Sequence, residues 1–202
     1  EGKKSLPDPP IASIGYQASI VITPQQEADM DIKATLNNLL IPYTSNYAGT
    51  LLPGIREYTV TPGEKTTTIS GKGKAGLKQE ENYYFFYLPV CYKGITGKSY
   101  AYYNTSRSKN LYLPASVDEN YSYDIQLPEN LTLCTPIQEK KIDNPIGSFK
   151  ITLTSEGSSL HIELALQIKK QLITPAEYPA FRSLITEWTD RTRKPILFKT
   201  VQ

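Results

Sequence analysis

The chain has 202 residues, of which 39% are hydrophobic and 21% charged, and its net charge is +2. That length suits one large domain or two small ones. The balanced, scattered charge excludes the electropositive field of a nucleic-acid or anionic-membrane binder.

In chain order, Glu1-Gly2-Lys3-Lys4 and the Pro-rich Leu6-Pro7-Asp8-Pro9-Pro10 predict a linker over residues 1–10, exposed by trimming of an N-terminal portion. Residues 15–23 then read as a strand closed by Pro24. Met30, Ile32, Ala34 and Leu36 alternate with Asp31, Lys33 and Thr35, the period of a half-buried strand. Residues 37–53 carry loop signals. Strands follow at 55–61 and 65–70, around the turn Thr61-Pro62-Gly63-Glu64. Gly71-Lys72-Gly73-Lys74-Ala75-Gly76 matches a dinucleotide-binding pattern, but no helix follows to hold a pyrophosphate, so a flexible basic loop is expected there.

Residues 83–90 form an aromatic strand, the core of the longest apolar piece, Tyr83 to Cys91. That piece falls short of the ~18–20 residues that span a bilayer. Short strands are predicted at 99–104, 110–113 and 131–135. In residues 119–127, Tyr121, Tyr123, Ile125 and Leu127 share one face. Residues 147–154 and 160–168 flank a Gly157 turn and predict a hairpin. Thr174-Pro175-Ala176-Glu177 is a capping box that opens a helix over 175–189, with Tyr178, Phe181, Leu184, Ile185 and Trp188 on its buried face. Pro179 predicts an irregular first turn, with the regular α-helix running from about residue 179. A strand over 195–201 closes the chain. These elements predict a mostly β fold: an antiparallel β-sandwich of one or two lobes, with one C-terminal α-helix packed on it. Two lobes would be 11–104 and 105–202.

Side chains suited to bond-making chemistry are few. His161 is the one histidine and sits on a strand face opposite the leucines, where a solvated residue is expected. Cys91 and Cys134 lack the electropositive, helix-opening setting of a reactive thiol. They could equally form a disulfide or remain two buried thiols. One histidine and two distant cysteines cannot make a closed zinc site. Asp29 and Asp31 lack the rest of a calcium loop, and Asp118, Glu119 and Asp124 would hold a cation only weakly. Glu80-Glu81 and Asp118-Glu119 are sequence neighbours whose side chains point to opposite strand faces, so neither pair serves as two facing acids. The expectation is therefore no catalytic residue, no metal and no cofactor. The remaining candidate is the aromatic cluster. Tyr83, Tyr84, Tyr87, Tyr92, Tyr100, Tyr102 and Tyr103 could line a sheet face that binds a glycan or a protein, or could pack within the sheet.

Several segments carry a family resemblance. They are Arg107 with Leu111-Tyr112-Leu113-Pro114, the run Asp118 to Asn130, Gly147-Ser148-Phe149, and the ending Ile173 to Arg182. This order resembles the C-terminal β-domain of uncharacterised bacterial transglutaminase-like proteins, over roughly residues 83–202. The resemblance implies export to the periplasm or cell surface, an upstream transglutaminase-like domain as partner, and an accessory, non-enzymatic role. The catalytic Cys, His and Asp of such proteins belong to the preceding domain, and neither Cys91 nor His161 matches their motif.

Overall fold

The computed structural model describes residues 10–37, 48–92 and 106–201. Most of residues 1–10, the strand expected at 99–104 and the seam near residue 104 lie outside them. The largest element is an eight-stranded sheet. Its strands are β1 (Ile11–Ile22), β2 (Glu27–Asn37), β3 (Ile55–Pro62), β4 (Thr66–Gly76), β8 (Ser116–Gln126), β10 (Gln138–Asn144), β11 (Gly147–Glu156) and β12 (Ser159–Ile168), in the order β10-β11-β12-β8-β1-β2-β4-β3. A second sheet has the order β5-β6-β14-β9, built from β5 (Lys78–Glu80), β6 (Tyr83–Phe86), β9 (Leu131–Leu133) and β14 (Ile196–Thr200). A two-stranded ribbon joins β7 (Leu111–Tyr112) to β13 (Leu172–Ile173). Helix α1 is a single turn, Ala48–Leu51, and α2 spans Tyr178–Arg193. The fold is thus mostly β with one long C-terminal helix.

Alternation explains the large sheet. Ile14, Tyr16, Ala18, Ile20 and Ile22 of β1 are buried, as are Leu160, Ile162, Leu164, Leu166 and Ile168 of β12, while the intervening residues face outward. β11 and β12 turn through Gly157 and Ser158, with Gly157 at φ +58°, a conformation that glycine adopts without steric cost. Helix α2 lies against β11 and β12 and sends Phe181, Leu184, Ile185 and Trp188 into the core. There the Trp188 ring sits 5.6 Å from Tyr121. Tyr84, Phe86 and Phe198 of the smaller sheet join the same apolar cluster.

The structure departs from the sequence expectations at several points. β1 and β8 pair in parallel, so the large sheet is mixed rather than wholly antiparallel. Parallel neighbours need a long connection, and here some ninety residues separate them. Residues 71–76 are not a loop: they continue β4, paired with β2 on one side and β3 on the other. A Cβ on Gly71 would lie 2.2 Å from the Glu57 carbonyl oxygen, beside the register irregularity of β3 between Ile55 and Glu57. Glycine there lets the irregular edge strand close on β4. The segment read as loop to residue 53 contains α1, and the charged β10 is a strand that the pattern did not indicate. Helix α2 begins one residue earlier than the regular helix expected from 179 and ends four residues later than 189.

The reciprocal bonds of the capping box form, but they close a turn ahead of the helix: α2 starts at Tyr178, not 175, and its N-cap is Glu177 rather than Thr174. Thr174 N–H donates to Glu177 Oε2 at 3.1 Å, and Glu177 N–H donates back to Thr174 Oγ1 at 3.4 Å. The residues between them make a turn that leads into α2.

Candidate interaction surface

The smaller sheet carries the aromatic cluster, and its pleat sorts the rings. Successive strand residues point to opposite faces, so Tyr84 and Phe86 are buried while Tyr83, 39% exposed, shares the outer face with the half-buried Phe85. Tyr87 follows in the same phase and is 47% exposed. Across the ladder Tyr83 pairs with Lys199 and Glu80, and Phe85 with Leu197 and Lys78. Lys78 Nζ lies 5.3 Å from the Tyr87 ring centroid, a cation–π contact that covers part of that ring. The result is an aromatic strip rimmed by ammonium and carboxylate groups. Such a strip offers apolar area with hydroxyl tips at its edge.

Of the seven tyrosines singled out by sequence, Tyr83 and Tyr87 share this strip and Tyr92 is exposed near it in sequence. Tyr84 is a correction: it is buried in the core. Tyr100, Tyr102 and Tyr103 lie outside the described residues.

The outer face of the large sheet is polar. His161 on β12 faces Asp124 on β8, with Nδ1 2.7 Å from Asp124 Oδ1 and Nε2 3.4 Å from Glu163 Oε1. Glu163 in turn accepts from Lys150 Nζ at 3.2 Å. The Asp124 hydrogen bond is the main cause that raises the His161 pKa, and hydrogen bonds from Lys150 and then His161 lower that of Glu163. A carboxylate at each ring nitrogen favours the protonated form of this imidazole. Cys91 is fully buried and Cys134 half-buried, both as free thiols. The same face holds open, shallow depressions, one of ≈ 550 Å³ floored by Gly15 and Ala165 and edged by Lys33 and Lys150.

Among the described residues no group of three or more His, Cys, Asp or Glu side chains is placed to hold a metal. The trio Asp118, Glu119 and Asp124 does not converge, because Glu119 faces the interior while the two aspartates face out. Asp29 is engaged by Lys74 at 3.1 Å. Glu119 is a polar group that sequence reading missed as a core residue. It is 2% exposed and accepts from Tyr121 Oη at 3.3 Å. Its phase was the available signal, since it lies in register with Tyr121, Tyr123 and Ile125. Burial raises the hydroxyl pKa values of Tyr16, Tyr121 and Tyr123, which keeps all three neutral.

Residues 82–198 match the family described as Domain of Unknown Function with solved-structure structure (DUF3858). That stretch supplies β6 to β14 and α2, whereas β1 to β5 precede it. Among solved structures, the chain is similar to a Parabacteroides distasonis ATCC 8503 protein described as a "putative protease". The two share 30% identity with a TM-score of 0.52, over 60% of this chain and 24% of that one. The chain therefore spans about a quarter of the length of that relative. No curated protein matches it.

Proposed function

Because the chain belongs to the DUF3858 family of domains of unknown function, we propose that it is a non-catalytic accessory β-domain of a larger exported bacterial protein of transglutaminase-like type, serving domain packing or protein interaction. The observation that carries this reading is the proportion of the match: 60% of this chain aligns with only 24% of a longer relative. The described chemistry is in keeping with it. The single imidazole sits between two carboxylates on an open sheet face, and Cys91 is sealed in the core. Export to the periplasm or cell surface, and an upstream transglutaminase-like domain as packing partner, belong to the same reading.

The test compares the isolated chain with the full-length protein in an assay of acyl transfer and peptide hydrolysis. Activity is expected only in the longer protein. Turnover by the isolated chain that vanishes in Cys91→Ala, Cys134→Ala or His161→Ala would overturn the reading.

A second reading is favoured by one observation, the exposure of Tyr83 and Tyr87 on the same side of the smaller sheet. In it the domain binds a glycan or protein through that strip. Glycan-array and calorimetric binding by the wild-type chain, lost in Tyr83→Ala and Tyr87→Ala, would support it. Identical binding by wild type and both variants would remove it.

A further inference from the structure

We propose that the β7–β13 ribbon is a docking surface for an acidic polypeptide segment carrying an apolar anchor side chain. The ribbon is separate from the aromatic strip, and the proposal stands independently of the accessory reading. Its pairing sets Tyr112 opposite Leu172 and Leu111 opposite Ile173. Leu111 and Ile173 are buried, while Tyr112 is 75% and Leu172 42% exposed. A single exposed apolar residue is ordinary. Here an aromatic and an aliphatic side chain stand as cross-strand neighbours, and together they form an apolar step with a hydroxyl at its edge.

Charge identifies the occupant. Lys109 precedes β7 and Lys169 precedes β13, so the antiparallel pairing puts one lysine toward each end of the ribbon. Both are exposed, and among the described residues neither makes an ion pair. By contrast, the adjoining Lys170 is neutralised by Glu177. An apolar pair with an exposed lysine preceding each of its two strands suits a segment with carboxylates on either side of a hydrophobic side chain.

The platform is also fixed in advance. Leu113 N–H donates to the Gln171 carbonyl at 2.8 Å, and Gln171 Nε2 donates to the Pro114 carbonyl at 3.0 Å. Beyond Ile173 the capping box at Thr174 holds the entry to α2. Little ordering cost would accompany binding.

The experiment titrates the ¹⁵N-labelled full chain with three probes: a peptide of glutamates around one phenylalanine, the same peptide with lysines in place of glutamates, and vesicles containing anionic phospholipid. The glutamate peptide is expected to shift the amides of Lys109, Tyr112, Lys169 and Leu172 saturably, and added salt is expected to weaken it. Tyr112→Ala with Leu172→Ala should weaken binding about tenfold or more. Lys109→Glu with Lys169→Glu, which leaves the ribbon's packing alone, should switch preference to the lysine peptide. Three results would overturn the proposal: no saturable shift at about 1 mM glutamate peptide, equal shifts from both peptides, or binding to the vesicles alone.

Discussion

His161 and Asp124 are cross-strand partners on β12 and β8, joined by an Nδ1 to Oδ1 contact of 2.7 Å on the outer face of the large sheet. Asp124 is the first cause that lifts the imidazole pKa above its ordinary 6.5. A group whose folded pKa is raised stabilises fully below its unfolded value, and that contribution is lost as pH rises through the folded value. The pair therefore favours folding most at pH values below 6.5 and progressively less above. Both side chains are well exposed, 41% and 73%, so solvent screening limits the effect to about 1 kcal/mol or less. Urea unfolding of wild type and Asp124→Asn at pH 5.5 and pH 8.5 should show the larger stability gap at the lower pH. A gap equal at both would mean the contact is not an ion pair in solution.

The capping box gives a pH dependence of opposite sign. Lys170 first, and then the Thr174 backbone, hold the Glu177 carboxyl down at about 2. A depressed carboxyl stabilises above its ordinary value near 4.5, and that contribution fades as pH falls toward 2. Glu177→Gln should therefore differ from wild type at pH 6 and converge with it near pH 2. Thr174→Ala removes the hydroxyl that Glu177 N–H donates to, with an expected loss of about 0.5–1.5 kcal/mol in thermal or denaturant unfolding.

The chain announced its local periods more clearly than its strand partners. Helix α2 was legible because the capping box and the spacing of Phe181, Leu184, Ile185 and Trp188 are local signals. β12 was legible because five aliphatic residues alternate without a break. The parallel pairing of β1 with β8 is a choice among distant strands, which no local pattern encodes. Residues 71–76 carry no strand signal because Gly and Lys disfavour strands on their own, while pairing with β2 and β3 overrides that preference. β10 is a charged edge strand, and its lysines and glutamate are of the kind that protects an edge from further pairing. At the candidate surface, alternation alone could have separated Tyr84 from Tyr83 and Tyr87, and it could have placed Glu119 inside. β7 falls within the short strand expected at 110–113, whereas β13, two residues long, is too short to leave any period.

Trp188 anchors α2 to the large sheet. Its ring is fully buried against Tyr121, and its carbonyl accepts from Thr192 Oγ1 at 2.9 Å. Trp188→Ala should cost about 3–5 kcal/mol, lost contacts and cavity together. Denaturant unfolding measures it directly. A loss below about 1 kcal/mol would mean that the helix is not docked as described.

Two glycines of the same sheet should respond oppositely to alanine. Gly71 has the Glu57 carbonyl oxygen 2.2 Å from where its Cβ would stand, with Tyr58 Cβ at 2.7 Å. Since the nearest atom is backbone, Gly71→Ala forces β3 away from β4 and should destabilise by about 1–3 kcal/mol. Gly15 lies in the middle of β1 with φ outside the left-handed region, and an added Cβ would meet nothing closer than the Thr35 carbonyl oxygen at 4.0 Å. Alanine there fits the native backbone and narrows the unfolded ensemble, so Gly15→Ala should stabilise by about 0.4–1 kcal/mol. Paired thermal melts decide the matter. If both variants lose stability alike, the outer face around Gly15 is more tightly filled than the geometry shows; if both are neutral, β3 is not closely paired to β4.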